Sequence, residues 1–461
     1  MKIALCTRRF VPPFVGGVDV YTDRLSRALE RLGHEIMILA CDATADSHNQ
    51  AITLSLDEYQ GTKIWRLKFA LDKRPPETFD YAYDQEMGQI IKTVLRQQKP
   101  DLFIIMNFYT ITLASVEAAK ALEIPVVHIA TDFIPICRRA TFIRWDGTPC
   151  QVGESIRSCA ACFVSHRPLG RLAASLLNQF PEETLAGWAN NPAIYKPPHP
   201  LWPLKPYWKQ VAIMDQRLKT VRPLREKIDL VLTPTQYTLN AFLTNGFKPD
   251  QVHLLPFAVE TDHPLTRTEH TPASQTRFLF IGRLQPYKGA HLLVEAFNNL
   301  ASPKGATLTI YGTPGGYETY FNRLKAMMAS NARIRFAGKI APADLGQAFA
   351  EADFFVLPST WHENSPLILL DALQSKTPVI ASDIGGVTDV INHEVNGLLF
   401  PMGDKHALQQ VMQRVIDQPA LAEQLRSGLN PPSIDDYARA IIELCRSRMR
   451  LPETEAAKII G

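Results

Sequence analysis

Short β-branched runs alternate with helical patterns along nearly the whole chain, and this alternation limits the folds open to it. The first run, residues 2–7, is followed by apolar residues spaced three and four apart from Val18 to Leu32, which is the spacing of one helix face. Strands that alternate with helices predict parallel sheets whose two faces are both covered by helices. We therefore expect an α/β protein.

The alternation occurs in two series, which predicts two doubly wound domains in 461 residues. The expected strands of the first series are 2–7, 36–40, 102–106, 126–130, 229–233 and 252–256. Those of the second series are 278–281, 307–311, 334–337, 354–357 and 379–382. The segment 261–275 between them is polar, contains two prolines and has little periodicity, so we place the join there. The predicted domains are 1–265 and 266–432.

Composition and charge exclude several classes of protein. Lys and Arg number 49 against 46 Asp and Glu, so we expect no general affinity for nucleic acid. The sequence contains no apolar run of about 20 residues, so we expect no membrane span. The apolar stretch within the first ten residues is too short for a signal peptide. Seven cysteines without a secretion signal predict a reducing, cytoplasmic setting.

Residues 166–216 interrupt the alternation, and six prolines fall between Pro192 and Pro206. Trp202 and Trp208 are interleaved with Lys205 and Lys209. The prolines predict neither regular helix nor central strand. Three interpretations remain open, namely a surface loop, an acceptor-binding loop and a contact with the inner face of a membrane, since Trp and Lys suit the lipid headgroup zone.

The sequence 358–373, PSTWHENSPLILLDAL, is the strongest candidate for a site. Ser365 is expected to cap a helix that begins at Pro366, which would leave the amides of Leu367 and Ile368 pointing out of the helix N-terminus. Such an end binds anions, and here it follows a strand at the carboxyl edge of a parallel sheet. The sequence thus indicates a phosphate site.

Polar residues flank this helix start on both sides. Glu363 and Asn364 precede it, and Asp371 lies about one turn inside. A phosphate on the amides would bring the two carboxylates next to the groups attached to it, such as a sugar and a ribose. Alternatively, both carboxylates only favour the helix dipole.

Two further loops carry candidate phosphate contacts. Arg283 and Lys288 follow a strand in FLFIGRLQPYKG, and two cations on one loop can hold a diphosphate; a pair of solvated charges is the alternative. Gly16 and Gly17 precede the first helix, where glycine lets the backbone approach a phosphate, although a simple tight turn explains them equally well.

The motifs GRLQPYKG and WHENSPLILLDA, together with the opening glycine pair and RLGHEI, resemble retaining glycosyltransferases of family 4. The resemblance covers most of the chain and is weakest over 166–216. It implies the GT-B architecture, in which two Rossmann-like domains with doubly wound parallel sheets face a central cleft. It also implies that a terminal helix, within 433–461, packs back on the first domain.

The resemblance implies roles for the candidate residues of the second domain. Arg283 and Lys288 would hold the donor diphosphate and act in catalysis, and Glu363 would contact hydroxyls of the transferred sugar. Asp371 stands where the family has a ribose-binding Glu and is one methylene shorter. The substrate contacts expected around them are Asn364, Ser365, Leu367 and Ile368.

In the first domain, the resemblance gives Gly16 and Gly17 a place beside the donor. The segment ATDFIPIC resembles the stretch in which many members carry His-Asp. Here those positions are Thr131 and Asp132, so the usual His is replaced by a substrate-contacting Thr131, and Asp132 is the remaining catalytic candidate. His128, three residues earlier, is not its aligned equivalent and is interpreted as structural.

Four cysteines have a spacing that suits a metal. Cys137, Cys150, Cys159 and Cys162 form C-x12-C-x8-C-x2-C, and four thiolates could hold a structural zinc ion. Unligated buried cysteines are the alternative. No Asp-x-Asp sequence occurs, so no metal-bridged diphosphate and no catalytic cofactor is expected.

Taken together, the sequence predicts a metal-independent, retaining hexosyltransferase. It would move a sugar from a UDP- or GDP-sugar to a glycan or lipid-linked acceptor in polysaccharide or glycoconjugate biosynthesis. The expected setting is cytoplasmic, with peripheral membrane contact through 192–209 as one interpretation. The alternatives are a nucleotide-sugar epimerase or hydrolase of the same architecture and a non-catalytic sugar-nucleotide sensor.

Overall fold

The structure is a computed structural model of the whole chain. It describes residues 1–12, 16–43, 51–70, 83–145, 148, 150, 153–166, 168–260, 275–301, 305–429 and 431–451. The chain divides into two compact units. Unit 1 comprises Met1–Thr233, Thr238–Leu254 and Ile441–Gly461, and unit 2 comprises Pro234–Tyr237 and Leu255–Ala440. The predicted join at residue 265 lies outside the described residues.

Unit 1 is built on an eight-stranded sheet in the order β3-β4-β2-β1-β5-β6-β7-β8. Its strands are β1 (Lys2–Thr7), β2 (Glu35–Ala43), β3 (Thr53–Tyr59), β4 (Thr62–Phe69), β5 (Leu102–Ile105), β6 (Val126–Ile129), β7 (Leu230–Thr233) and β8 (Val252–Leu254). All neighbours pair in parallel except β3 and β4, which form an antiparallel hairpin at the edge. The central strands are buried on both faces, as parallel strands between helix layers must be.

Helices connect the strands of unit 1. They are α1 (Gly17–Arg31), α2 (Gln85–Gln98), α3 (Ala114–Lys120), α4 (Ile156–Val164), α5 (Pro168–Leu177), α6 (Glu182–Ala189), α7 (Lys205–Arg225) and α8 (Gln236–Thr244), whose first two residues are assigned to unit 2. In α1, Tyr21, Leu25 and Leu29 are buried at spacings of four, the face that the apolar periodicity predicts.

Unit 2 is built on a six-stranded parallel sheet in the order β11-β10-β9-β12-β13-β14. Its strands are β9 (Thr276–Ile281), β10 (Ala306–Tyr311), β11 (Ile334–Gly338), β12 (Phe354–Leu357), β13 (Val379–Asp383) and β14 (Gly397–Pro401). Its helices are α9 (Ala290–Asn298), α10 (Glu318–Ala329), α11 (Leu345–Ala350), α12 (Leu367–Gln374), α13 (Lys405–Asp417), α14 (Ala420–Ser427) and α15 (Ile434–Arg448). From Ile441 onward α15 is assigned to unit 1.

The two doubly wound sheets confirm the predicted fold class, but three strands were not predicted. The hairpin β3–β4 has an outer strand, β3, that is exposed along nearly its whole length, so it has no apolar run. The third, β14, is a short strand at the sheet edge that contains Gly397 and Pro401.

The prediction that residues 192–209 exclude helix is wrong at their end. Helix α7 begins at Lys205 and accommodates Pro206 in its first turn, where a missing amide hydrogen costs no helical bond. Tyr207 and Trp208 face inward and are buried, and the Trp208 Nε1–H donates to the Leu201 carbonyl at 3.2 Å. Trp208 is therefore a core residue and cannot contact a membrane or an acceptor.

Helices α4 to α7 form a helical insert, residues 153–225, between β6 and β7. The insert has its own apolar core, which includes Leu185, Trp208, Val211 and Met214. Trp188 packs edge-on against Trp208, with ring centroids 6.1 Å apart. Because the insert buries its own apolar surface, it adds to the sheet domain without enlarging the domain's core.

A buried charge cluster ties the helical insert together at its base. Glu154 accepts from Arg217 Nε at 2.6 Å and from Arg225 Nη2, and both side chains of the first pair are nearly inaccessible. Arg217 also donates to the Ile134 carbonyl. Burial alone would raise the pKa of Glu154, but the two guanidinium groups outweigh it and the pKa is lowered. The carboxylate thus stays ionised where the insert meets the loop after β6.

Within the described residues, no helix is long and apolar enough to cross a membrane.

Candidate functional site

The candidate residues fall into two groups, one in each unit. In unit 2, β9 and β12 are neighbours in the sheet, so the loops that follow them lie side by side at its carboxyl edge. The first of these loops carries Arg283 and Lys288, and the second carries Glu363. The Lys288 Nζ donates to Glu363 Oε1 at 2.6 Å. The structure therefore brings together two residues that lie 75 positions apart in the chain.

Glu363 is buried, and three donors hold one of its oxygens. Besides Lys288, the Ser359 hydroxyl donates to Oε1 at 2.7 Å and the Trp361 Nε1–H donates at 2.9 Å. The Lys288 ammonium also lies 5.1 Å from the centre of the Trp361 ring. Among the described residues, none donates to Oε2 of Glu363, so that oxygen keeps its capacity to accept hydrogen bonds from a ligand.

Two glycines allow the close packing of this loop. Gly289 has φ +72°, and a Cβ there would lie 1.8 Å from the Pro358 carbonyl oxygen. Gly386 has φ +87°, and a Cβ there would lie 1.8 Å from the carbonyl oxygen of Glu363. Any other residue would push the Glu363 loop away from its partners. Gly289 belongs to a motif singled out in the sequence, whereas Gly386 was missed.

Arg283 differs from Lys288 in its surroundings. It is exposed, and it makes no hydrogen bond or ion pair with other residues in the described part of the chain. Its charge is therefore available to a ligand, whereas that of Lys288 is already paired with Glu363. A diphosphate at this edge would meet one free cation and one cation shared with the neighbouring carboxylate.

Helix α12 begins one residue later than predicted. Pro366 is the capping residue with extended backbone angles, and the helix starts at Leu367 with no side-chain cap, so Ser365 is not the N-cap. Pro366 takes the cap position because it has no amide to leave unpaired. Leu367 and Ile368 still form the first turn and are partly exposed.

The polar residues around α12 are placed as their spacing predicts. Asn364 precedes the helix and is partly exposed, and Asp371 lies one turn inside with partial exposure. The main-chain carbonyl of Asp371 accepts from the Ser375 hydroxyl at 2.7 Å. Both residues thus lie near the N-terminal end of α12 and are partly exposed.

His362 is a site residue that the motif analysis did not single out. Its ring stacks on Tyr237 with centroids 4.6 Å apart, and its Nδ1 accepts from the Gly385 amide at 3.0 Å. Burial lowers its pKa, so the ring is neutral at pH 7. A neutral His that accepts at Nδ1 carries its proton on Nε2, which makes it a hydrogen-bond donor beside Glu363.

In unit 1, Asp132 lies just beyond β6 and organises the neighbouring loop. Its Oδ2 accepts from the amides of Phe108 at 2.8 Å and Tyr109 at 3.2 Å, and its Oδ1 accepts from the Ile134 amide at 2.9 Å. Burial nevertheless raises the pKa of Asp132 to about 6. Its carboxyl group is thus poised to gain or lose a proton near neutral pH.

Thr131 and His128 are held by the backbone of the same sheet. The Thr131 hydroxyl donates to the Met106 carbonyl, so its proton is already used in a hydrogen bond within the protein. His128 is fully buried between Phe108 and Phe242, its Nδ1 lies 3.0 Å from the Ile105 carbonyl, and burial lowers its pKa to about 4. His128 is a neutral core residue, as interpreted from the sequence.

The glycine pair of unit 1 stands at the start of α1. Gly16 caps the helix and Gly17 is its first residue. The Gly16 amide donates to Asp19 Oδ2 at 2.8 Å, so a carboxylate of the protein itself already occupies this amide. An incoming phosphate near Gly16 would have to compete with Asp19, a constraint that the sequence did not reveal.

The four spaced cysteines are free thiols near one another in and before the helical insert. Burial raises the pKa of Cys137 to about 11. Burial and, to a lesser degree, the charge of Glu154 raise the pKa of Cys159 to about 12. Within the described ranges, no group of three or more His, Cys, Asp or Glu is arranged to hold a metal ion. The remaining cysteines, Cys6, Cys41 and Cys445, are buried in the core as interpreted from the sequence.

The raised pKa of Asp132 predicts a specific pH dependence of stability. A carboxyl group with a pKa of about 6 in the folded state and an ordinary value near 3.8 in the unfolded state favours folding when protonated. This contribution is lost as pH rises from about 4 through 6. Asp132→Asn removes the titration, so its melting temperature should rise relative to wild type between pH 4 and pH 7, by an equivalent of at most about 3 kcal/mol.

The control is Asp250→Asn, which changes an exposed carboxyl group of the same unit. Melting curves of the three proteins should be recorded at pH 4, 5, 6 and 7. A difference between wild type and Asp132→Asn that stays constant with pH, or that matches the control, would contradict the raised pKa.

Two family models match the chain. The model described as Glycosyltransferase Family 4 matches residues 15–141, and the model described as Glycosyl transferases group 1 matches residues 265–428. The first match includes the glycine pair and Asp132, and the second includes Arg283, Lys288 and Glu363. The two groups of candidate residues therefore fall inside the matched regions.

Among similar proteins are enzymes named D-inositol 3-phosphate glycosyltransferase. The one from Jonesia denitrificans is 34% identical over 157 residues, which is 32% of this chain and 37% of the relative. The one from Xylanimonas cellulosilytica is 27% identical over 43% of this chain and 52% of the relative. The matches thus span between about a third and a half of these relatives.

Solved structures match over nearly the full chain. Anabaena HepE in complex with UDP and glucose matches at a TM-score of 0.61 with 15% identity, covering 97% of this chain and 100% of HepE. Sucrose-phosphate synthase from Thermosynechococcus elongatus matches at 0.62 with 18% identity, covering 97% and 98%. These matches concern the fold. With the family models over both units, they confirm the resemblance: the chain belongs to the family 4, group 1 glycosyltransferases of GT-B fold.

Proposed function

We propose that this protein is a retaining glycosyltransferase that transfers a sugar from a nucleotide diphosphate donor to a hydroxyl group of a glycan or lipid-linked acceptor. The observation that carries the proposal is the pairing of Lys288 with a buried Glu363 beside the N-terminus of α12. Cations and helix amides suit a diphosphate, and a carboxylate with a free oxygen suits sugar hydroxyl groups. One edge of one sheet thus offers partners for both halves of the donor.

The fold matches support a nucleotide sugar as the donor. HepE has been crystallised with UDP-glucose and with UDP, and the structure of the catalytic domain of starch synthase IV from Arabidopsis thaliana is bound to ADP and acarbose. We propose a UDP- or GDP-sugar for this chain. Arg283, Lys288 and the first-turn amides of α12 would stabilise the negative charge that develops on the leaving diphosphate.

No metal is assigned a part in the proposed reaction, since the cations for the diphosphate come from side chains. In this proposal, Glu363 contacts the sugar, Asp371 contacts the ribose, and Asn364 contributes a polar contact at the helix start. In unit 1, Asp132 keeps the loop at Phe108 and Tyr109 in place through its hydrogen bonds.

Turnover of the donor distinguishes transfer from its alternatives. The purified protein should be incubated with UDP-, GDP- and ADP-sugars, with and without a mixture of glycan and lipid-linked acceptors. Release of nucleotide that requires acceptor, with retained anomeric configuration in the product, supports the proposal. Release without acceptor indicates a hydrolase, a changed sugar indicates an epimerase, and binding without turnover indicates a sensor.

Because Arg283 and Lys288 have different surroundings, their substitution by alanine should have different effects on stability. Arg283→Ala removes an exposed charge, so we expect kcat/KM to fall by about 10²–10³-fold with an unchanged melting temperature. Lys288→Ala should cause a similar loss of activity and also lower stability by about 1–3 kcal/mol, because the buried Glu363 loses its cation. Kinetics and thermal melts of the same preparations test both expectations.

The control for this pair is Arg335→Ala, which removes an exposed arginine of the same unit on the edge strand β11. It should leave both activity and stability near those of wild type. Normal turnover in Arg283→Ala, or an equal loss of stability in both site variants, would show that the two cations do not have the separate roles assigned here.

Substitutions of Glu363 and of Asp371 should differ in their effect on the binding of the free nucleotide diphosphate, which lacks the sugar. Glu363→Gln should lower kcat and change discrimination between epimeric donor sugars, while the Kd of the free nucleotide diphosphate stays within about threefold of wild type. Asp371→Asn should weaken that Kd and the donor affinity alike. Calorimetric titration with the free nucleotide diphosphate decides the issue. If both substitutions weaken the binding of the free nucleotide diphosphate equally, the proposed contacts of Glu363 with the sugar and of Asp371 with the ribose are wrong.

Zinc at the four cysteines remains a prediction. Metal analysis of the purified protein should give about one zinc per chain, and Cys159→Ser should release it and destabilise the fold. The alternative is that the four cysteines are packing residues, and burial, which raises the pKa of Cys137 and of Cys159, favours the protonated thiol at those two positions. Metal-free protein of full stability would establish that alternative.

A further inference from the structure

The helical insert carries an apolar stripe that nothing in the described structure covers. Helix α5 buries Ala173, Ala174 and Leu177 against the rest of the insert. On the adjoining side, three leucines are 66%, 57% and 57% exposed, namely Leu169, Leu172 and Leu176. At 100° per residue they lie within an arc of about 60°, so they form one continuous stripe. We call these three residues the α5 stripe.

Aromatic residues extend the α5 stripe at its borders. Phe180, three residues after α5, is 40% exposed and rests on Trp188 with ring centroids 5.0 Å apart. Trp202, which is 43% exposed, lies in the short turn Trp202–Leu204 that packs against α5. Large exposed apolar side chains are ordinary when isolated, but a contiguous group on one helix face marks an interaction surface.

Basic side chains accompany this surface. Arg171 is exposed on α5, about 100° around the helix axis from Leu172. A cavity of about 390 Å³ opens beside the start of α5, and its lining includes His166, Lys205 and Lys209. The stripe and the lysines belong to elements that pack together, because α5 contacts both the turn at Trp202 and α7.

The charge distribution of the whole chain identifies the kind of partner. The helical insert, residues 153–225, contains ten Lys or Arg and four acidic residues, a net charge of +6. The whole chain has a net charge of +3, so all other residues together carry −3. Of the four acidic residues only Glu183 is exposed, because Glu154 is ion-paired with two arginines, Glu182 accepts from the Arg157 amide and Asp215 pairs with Lys219. The net positive charge of the chain thus lies in the helical insert.

We propose that the α5 stripe, with the lysines at the start of α7, docks the protein on an anionic phospholipid bilayer. The leucines and Trp202 would enter the interfacial region, and Lys205 and Lys209 would meet phosphate headgroups. A second copy of this chain is the less suitable occupant, because two copies of a helical insert of net charge +6 repel each other. The surface keeps Trp202, Lys205 and Lys209 from the one expected from the sequence, but the exposed leucines of α5 take the place of the buried Trp208.

This proposal goes beyond the transfer reaction, and its test uses no sugar nucleotide. The full chain is sedimented with vesicles of phosphatidylcholine alone and with vesicles that contain one quarter phosphatidylglycerol, at low and high salt. Wild type should bind the anionic vesicles at least tenfold more strongly than the neutral ones, and high salt should weaken the binding. The triple change Leu169→Gln, Leu172→Gln and Leu176→Gln should lower the binding at least tenfold.

Two further variants make the result specific. Lys205→Gln with Lys209→Gln should lower binding to anionic vesicles at least fivefold, since one lysine near such a surface contributes about a fivefold factor. The matched control is Leu54→Gln with Leu56→Gln, which removes two exposed leucines of β3 in the same unit and should leave binding unchanged. Circular dichroism and melting curves verify that each variant is folded.

Three results would overturn the proposal. Wild type could stay in the supernatant with anionic vesicles, or the triple leucine variant could bind as wild type does. Light scattering could also reveal a dimer that the leucine changes convert to a monomer, which would assign the α5 stripe to a second copy. None of these results depends on transferase activity, so each leaves the proposed function to its own test.

Discussion

The parallel pairing of β9 with β12 is the constraint on which the donor-side site depends. Phe354 lies opposite Phe278 and Phe355 lies opposite Leu279, so both strands end at the same edge of the sheet. The loops that follow these two strands must therefore lie side by side. Because both strands are buried on both faces, a shift of register would disrupt the packing of their side chains against the helices, so the core fixes the relative position of the two loops.

This fixed position makes it possible to bury the Glu363 carboxylate. An ionised carboxylate is costly to remove from water unless it is paired and hydrogen-bonded, and Oε1 accepts from Lys288, Ser359 and Trp361. The same cation is the one suited to a diphosphate. Lys288 neutralises Glu363, and in the proposed function it would also hold the diphosphate of the donor, the one part proposed for the exposed Arg283.

The helical insert differs from the two sheets because it forms an apolar core of its own. It interrupts the crossover between β6 and β7, buries its own apolar residues around Trp208 and is anchored by the ionised Glu154 between two arginines. Since it closes its own core, its outer face is free to vary without cost to the sheet. That face carries the exposed leucines of α5, and the insert as a whole has a net charge of +6, against −3 for the rest of the chain.

The sequence by itself determined the two sheets, because buried parallel strands require apolar β-branched runs and these are visible without coordinates. It also located the loops with Arg283, Lys288 and Glu363, since those residues directly follow the strands. It could not predict the exposed edge strand β3, which has no apolar run, or the helix that starts at Lys205 despite its proline. Only the tertiary structure decided that Lys288 pairs with Glu363, that Asp19 occupies the Gly16 amide and that Trp208 is buried while the leucines of α5 are not. Each of these depends on which surfaces meet across long sequence separations, and no local pattern records that.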